Sequence, residues 1–379
     1  MEHEEQVRIA RAILRHIEAG TTDLADDIFL NPVSSYTSPT QLEREWRRLF
    51  CGMPLLVGLS CQIPKAGDWL TDDFAPTPVL VVRTTSGEAR AFANVCRHRG
   101  ARVAEGSGRD ARCFVCPYHA WRYELDGRLG AIPDEYGFAG IDRDEYALRP
   151  LPIAERAGLL WVVPTPGGTI DLDAHLGALG GELAAYHFER HHYYTTRVIR
   201  RRMNWKLVVD TFGEAYHLKP LHRATVGHIY HQNVEVCRSH GLSHSMTLAR
   251  RTIESLRGAP EAAWNLVPHA AVVYVLFPNT VFTVQGDHID VLRVYPADGR
   301  VDECVMYVDW YVPEPPTEKA VRHWEKNVDL FVRTVNDEDF AVGEGIQRGF
   351  ASGAQTHLTY GRYEAPLQHY HRALRAALA

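Results

Sequence analysis

The sequence predicts an α+β protein in which a small, mostly β domain precedes a larger mixed one. Three observations predict it. Residues from about 53 to 160 read as short strands with Gly and Pro punctuation and hairpin signals at Ser86-Gly87 and Asp126-Gly127. Helical stretches near 171–190, 203–218 and 317–348 then surround β-rich stretches near 270–311. Finally, 379 residues, 45% of them hydrophobic and 23% charged, bury a large core and divide into more than one domain.

The first element is helical: Val7, Ala10, Ile13, Leu14 and Ile17 recur at helical spacing, and Gly20 is a stop signal. Residues 21–40 carry Asn31-Pro32, Ser34, Ser35, Ser38 and Pro39 and read as an extended connection. Residues 41–52 read as a short helix bearing Trp46 and Phe50. TPVLVVRTT and ARAFANV read as one hairpin, and WRYELDGRLG as another around Asp126-Gly127. AAVVYVLF, from Ala270 to Phe277, reads as a buried strand stopped by Pro278. The segment from about 364 to 379 reads as a terminal helix.

Composition narrows the function. With 41 Lys+Arg against 47 Asp+Glu the formal charge is −6, so no basic surplus exists to neutralise phosphates. The longest apolar run has eight residues, and a membrane span needs about 20. MEHEEQVR is acidic and lacks the apolar region of a signal peptide. Seven cysteines are an odd number spread thinly, unlike a secreted disulfide framework, and the expected location is cytoplasmic. There are 20 histidines, so their spacing matters.

Two constellations carry chemistry. Cys96-x-His98 is followed, after 17 intervening residues, by Cys116-x2-His119. Each half is a clip offering one thiolate and one imidazole. Four N/S donors suit zinc or an iron–sulfur centre. The order Cys-His, Cys-His suits a [2Fe–2S] cluster with two cysteines on one iron and two histidines on the other. Cys113 has zinc-ribbon spacing to Cys116, and it reads as a buried, non-ligating thiol.

The second constellation lies in MNWKLVVDTFGEAYHLKPLH, residues 203–222. Helical periodicity places Glu214 and His217 on one face. His222 joins His217 on one metal only if the helix deforms, and Pro220 between them supplies a break. Two imidazoles and one carboxylate describe a ferrous facial triad with positions left open. The carboxylate is open among Asp337, Glu338, Asp339 and Glu344. Standing alone, the same pattern also suits a helix with a surface glutamate and two hydrogen-bonded histidines.

CRHRG followed by CPYHAWRY resembles the Rieske motif of the terminal oxygenase (alpha subunit) component of Rieske non-haem iron oxygenases. That family commonly has Gly where this chain has Ala120. NWK, Glu-Ala-Tyr-His and the second histidine resemble the family's mononuclear iron motif, and Glu338-Asp339 with Gln347 and Gly349 is similar to its distal element. The resemblance implies a small all-β Rieske domain at 53–160. It also implies a catalytic mononuclear iron domain at 161–379, with an antiparallel sheet flanked by helices, and an N-terminal helical arm at 1–52 associated with it. It implies Cys96, His98, Cys116 and His119 as [2Fe–2S] ligands. It implies His217, His222 and Asp339 as ligands of one Fe(II), with Asp337 in reserve. Glu214 takes the place of the family's bridging carboxylate and would link His217 to His119 of a neighbouring subunit.

The implied activity is that of a terminal oxygenase that hydroxylates or demethylates a small organic substrate with O2. Electrons would come from NAD(P)H through a separate reductase, with or without a ferredoxin, since no strand–GxGxxG–helix unit is present. The length resembles that of homotrimeric alpha-only members, many of them monooxygenases, including those acting on quaternary amines. Alternatives are a cis-dihydroxylating ring dioxygenase, a Rieske-type electron-transfer protein and a zinc-binding protein. Trp264, Tyr274, Phe277, Val281, Phe282, His288 and Val291 are pocket candidates, although for each of them the core-strand reading is the favoured one. The other histidines, His240, His244, His369 and His371 among them, lack ligand spacing.

Overall fold

The apolar run at 270–277 forms the strand Ala270–Leu276, buried along its whole length inside a seven-stranded sheet. The computed structural model describes residues 1–315 and 317–379. The backbone clusters into two units. One comprises Met1–Glu45, Leu176–Tyr186 and His191–Ala379; the other comprises Trp46–His175 and His187–Arg190.

In the larger unit the sheet is antiparallel throughout. Its spatial order is His192–Arg201, Cys304–Val312, Ile289–Pro296, Thr280–Val284, Ala270–Leu276, Ser243–Arg250 and Tyr230–His240. The interior strands are buried on both faces, so they read as continuous apolar runs. Register nonetheless separates the two faces. Met246, Val273 and Thr283 are cross-strand partners, whereas Tyr274, Phe282 and Val291 are partners on the opposite face.

Helices flank this sheet. Trp205–Thr211 starts at Asn204, whose side chain accepts the backbone N–H of Lys206. Glu318–Phe331 starts at Thr317, which accepts the N–H of Ala320. It runs on through a π-helical stretch, Val332–Asp339, into Phe340–Ala351. The helix His3–Ala19 buries Ile9, Ala10, Ile13 and Leu14 and ends at Gly20 with φ +62°. The 21–40 segment is more structured than its turn residues predict. Phe29–Pro32 pairs with His357–Tyr360, Ser34–Thr37 is a helical turn, and a helix begins at Pro39. The terminal helix spans Ala365–Leu378.

In the smaller unit both predicted hairpins form: Val79–Arg83 pairs with Ala89–Ala93, and Arg122–Glu124 with Leu129–Ala131. Gly87 and Gly127 turn them at φ +85° and +86°, where a Cβ would strain the backbone. A sheet of five strands and two of three make up the unit. Its core gathers Leu80, Val82, Phe92, Phe114, Trp121 and Tyr123 with Cys96 and Cys116. No helix among the described residues is long and apolar enough to cross a membrane.

Candidate metal centres

The two Cys-His clips fold alike. In the first, Gly100 N–H donates to Cys96 C=O at 2.9 Å and Cys96 N–H to Ala101 C=O at 2.7 Å. In the second, Ala120 N–H donates to Cys116 C=O at 3.0 Å and Cys116 N–H to Trp121 C=O at 2.9 Å. The residue that closes each turn is left-handed: Gly100 at φ +82° and Ala120 at +54°. That conformation is the physical reason for glycine there, and alanine holds it at a cost of about 1 kcal/mol.

The donors lie close together. The His98 and His119 rings are 4.6 Å apart, and Trp121 stacks on His98 at 4.9 Å. Both thiols are buried. Burial raises the Cys96 thiol pKa, although the Tyr123 hydroxyl, 3.3 Å from Sγ, opposes the rise. His98 Nδ1 is buried with no hydrogen-bond partner. A buried imidazole nitrogen with no partner fits a metal ligand. One zinc ion would draw four donors to within about 4 Å of one another. The order of two cysteines and two histidines in paired clips suits a two-iron centre with two thiolates on one iron and two imidazoles on the other. Cys113 is half-buried rather than buried and sits on the strand Cys113–Val115.

The second constellation is built differently from its periodicity. The helix ends at Thr211, and Glu214 and His217 lie in an irregular segment. At the break Gly213 packs closely on Leu367, whose Cδ2 would stand 2.3 Å from an added Cβ. Pro220 does not separate the histidines by a kink. It sits in the first turn of the short helix Leu218–Leu221, where its missing N–H is not needed.

The two imidazoles meet with ring centres 5.1 Å apart. Nε2 of His222 is 3.1 Å and Nε2 of His217 is 3.5 Å from Asp339 Oδ1. All three donor atoms lie within 4.8 Å of one another. The outer nitrogens are taken by carboxylates. His217 Nδ1 bonds Glu214, whose other oxygen accepts the His217 backbone N–H at 3.0 Å. His222 Nδ1 bonds Glu338 at 2.6 Å, and Thr225 donates to the same oxygen at 2.8 Å. Each ring therefore turns Nε2 inward, the pattern that second-sphere carboxylates impose on metal-bound histidine. Burial opposes charge on His217, but Glu214 and Asp339 outweigh it and raise its pKa. His222 is raised against burial by Asp339 and Glu338. Burial raises Asp339. The same carboxylates that favour positive charge on the rings also favour a divalent cation between them, in competition with protons.

Of the other acidic candidates, Asp337 bonds the Asn336 side chain at 2.8 Å and Glu344 accepts the Arg202 N–H at 3.0 Å. Neither belongs to the converging set. Glu338, a candidate ligand by sequence, instead orients His222 from outside the converging set.

Beside the set opens a cavity of about 280 Å³. Phe212, Ile229, Tyr230, Met246, Leu248, Val273 and Phe331 supply apolar wall, and Arg250, Gln285, Asp287 and His288 supply polar wall. Of the seven pocket candidates only His288 lines it. Tyr274, Phe282 and Val291 miss it because they occupy the other face of the sheet.

Residues 53–141 match the Rieske [2Fe-2S] domain, and residues 186–379 match the ring hydroxylating alpha subunit (catalytic domain). The chain is 32% identical to the carnitine monooxygenase oxygenase subunit of Escherichia coli (strain K12), over 85% of this chain and 84% of that one. It is 27% identical to the glycine betaine monooxygenase oxygenase subunit of Pseudomonas aeruginosa (strain UCBPP-PA14), over 87% and 84%. The quaternary ammonium Rieske monooxygenase CntA, solved with L-carnitine, shares the fold with a TM-score of 0.78, at 21% identity over 93% of this chain and 96% of that one. The catalytic-domain match and the long alignment at 32% identity place this chain in the family of ring-hydroxylating oxygenase alpha subunits, which carry a Rieske cluster and a mononuclear iron.

Proposed function

We propose that the chain is the terminal oxygenase of a monooxygenase system, in which His217, His222 and Asp339 hold one Fe(II). Cys96, His98, Cys116 and His119 hold the [2Fe–2S] cluster. The observation that carries this reading is the convergence of two imidazoles and one carboxylate beside an apolar-walled cavity. Bound iron supplies O2 activation, and the cluster supplies electrons one at a time. The protein positions the substrate, keeps water from the apolar wall and fixes the ring tautomers through Glu214 and Glu338.

Monooxygenation is favoured over cis-dihydroxylation by the long alignments with monooxygenase subunits. The electrons come from NAD(P)H through a separate reductase in the cytoplasm. The working assembly is a homotrimer in which Glu214 links His217 to His119 of a neighbouring subunit. CntA, described as using inter-subunit electron transfer, supports that arrangement.

An iron count tests the reading. After anaerobic Fe(II) reconstitution the protein should hold about three irons per chain, two in the cluster and one at the triad. A count of about two, with a Rieske spectrum, would leave an electron carrier without a catalytic iron.

A further inference from the structure

Arg250 lines the cavity without a carboxylate partner among the described residues. Its Nη2 donates to Gln285 Oε1 at 2.8 Å, and its guanidinium lies 5.9 Å from the Tyr230 ring centre. Its Nε is buried and donates to nothing. Of the nearby carboxylates, Asp287 is engaged elsewhere, bonding His288 at 2.6 Å and His323 at 2.7 Å. Asp290 pairs with His288 at 3.4 Å rather than with Arg250, and its Oδ1 is buried without a hydrogen bond. A buried donor of a charged group left unsatisfied is costly, and it persists where a ligand completes it. Thr283 Oγ1 is likewise buried and unpartnered in the same cavity.

The placement is constructed by the sheet. Arg250 ends the strand Ser243–Arg250 and pairs with Tyr230, and Gln285 follows the strand Thr280–Val284. The Gln285 carbonyl is used by Arg250, which leaves its amide NH2 as a further donor. Met246, Leu248 and Val273 cover the adjoining wall. The cavity therefore offers fixed donors next to apolar surface and next to the His217, His222 and Asp339 set.

We infer that Arg250 and Gln285 form an anion subsite, and that the substrate is a small carboxylate whose apolar or N-methylated body reaches toward the iron set. A guanidinium binds carboxylate through paired N–H donors, which a neutral alcohol cannot match. A substrate whose only charge is positive is disfavoured at the same place. The inference rests on the oxygenase reading for its substrate, but its test does not require turnover.

Binding is measured by calorimetry on the full chain loaded with iron and cluster. The probes are matched pairs: glycine betaine with choline, butyrate with butanol, benzoate with benzyl alcohol. The carboxylates that bind should bind at least about tenfold tighter than their alcohols. Arg250→Gln should erase that preference with iron content and cluster spectrum intact, and Arg250→Lys should restore only part of it. Gln285→Leu, which keeps the charge, should weaken the same carboxylates without strengthening the alcohols. Equal binding within the pairs, binding by none of the carboxylates, or an unchanged preference in Arg250→Gln overturns the subsite. Carboxylate preference with no oxygenated product from any probe would sustain the subsite and count against the oxygenase reading.

Discussion

Glu338 and its neighbour Asp339 grip opposite nitrogens of one ring: Glu338 bonds Nδ1 of His222 at 2.6 Å while Asp339 approaches Nε2 at 3.1 Å. Both residues lie at the end of the π-helical stretch Val332–Asp339. Glu338→Ala frees the ring to rotate and to change tautomer. Fe(II) affinity should fall about 10- to 100-fold, with the cluster's visible spectrum unchanged. Anaerobic iron titration measures it, and wild-type affinity would show that Glu338 does not orient the ligand.

Glu214→Gln keeps the size of the side chain and removes its charge. Both metal centres should load, yet product formed per NADH consumed should drop at least about tenfold. Parallel EPR and product assays check this. Full coupling in the variant would refute a bridging role.

Glu45 is buried against Lys206, whose ammonium reaches both carboxylate oxygens at 2.8 Å, and it also accepts the Trp205 indole N–H at 2.9 Å. These contacts pin the start of the helix Trp205–Thr211, which leads to Glu214. Glu45→Gln leaves a buried ammonium uncompensated and should destabilise the protein by about 3–5 kcal/mol. Adding Lys206→Met should recover much of the loss, as read from chemical denaturation.

His288 yields a pH prediction. Burial disfavours its charge, but Asp290 and Asp287 outweigh burial and raise its pKa to about 10. The folded value lies above the unfolded value of about 6.5. Its contribution is therefore complete below about pH 6.5 and is lost as pH rises through about 10. Urea midpoints across that window should fall more steeply in wild type than in His288→Gln. Parallel profiles would exclude His288 as the titrating group.

The Cys-His clips were legible because each is closed by bonds within a few residues, from Cys96 to Ala101 and from Cys116 to Trp121. The iron set was legible in its histidines and ambiguous in its carboxylate. Asp337, Glu338 and Asp339 are consecutive, and only the pitch of the stretch they occupy decides which one turns inward. The pocket wall is illegible for a related reason. Ala270–Leu276 is apolar on both faces, so alternation cannot tell Val273 from Tyr274. The strands His192–Arg201, Tyr230–His240 and Ser243–Arg250 escaped notice as well. Histidines, arginines and serines in them obscure a period of two.

A π-helical turn is an α-helix carrying one residue too many. Val332–Asp339 therefore sets the iron site by residue count as much as by residue type. Deleting a single residue between 332 and 336 would let the stretch relax to ordinary pitch and change the facing of the residues within it by a fraction of a turn. Glu338 and Asp339 would then swing off the two nitrogens of His222 together. The surplus residue works as a shim, and natural variation in the length of this stretch should be far rarer than variation in its side chains.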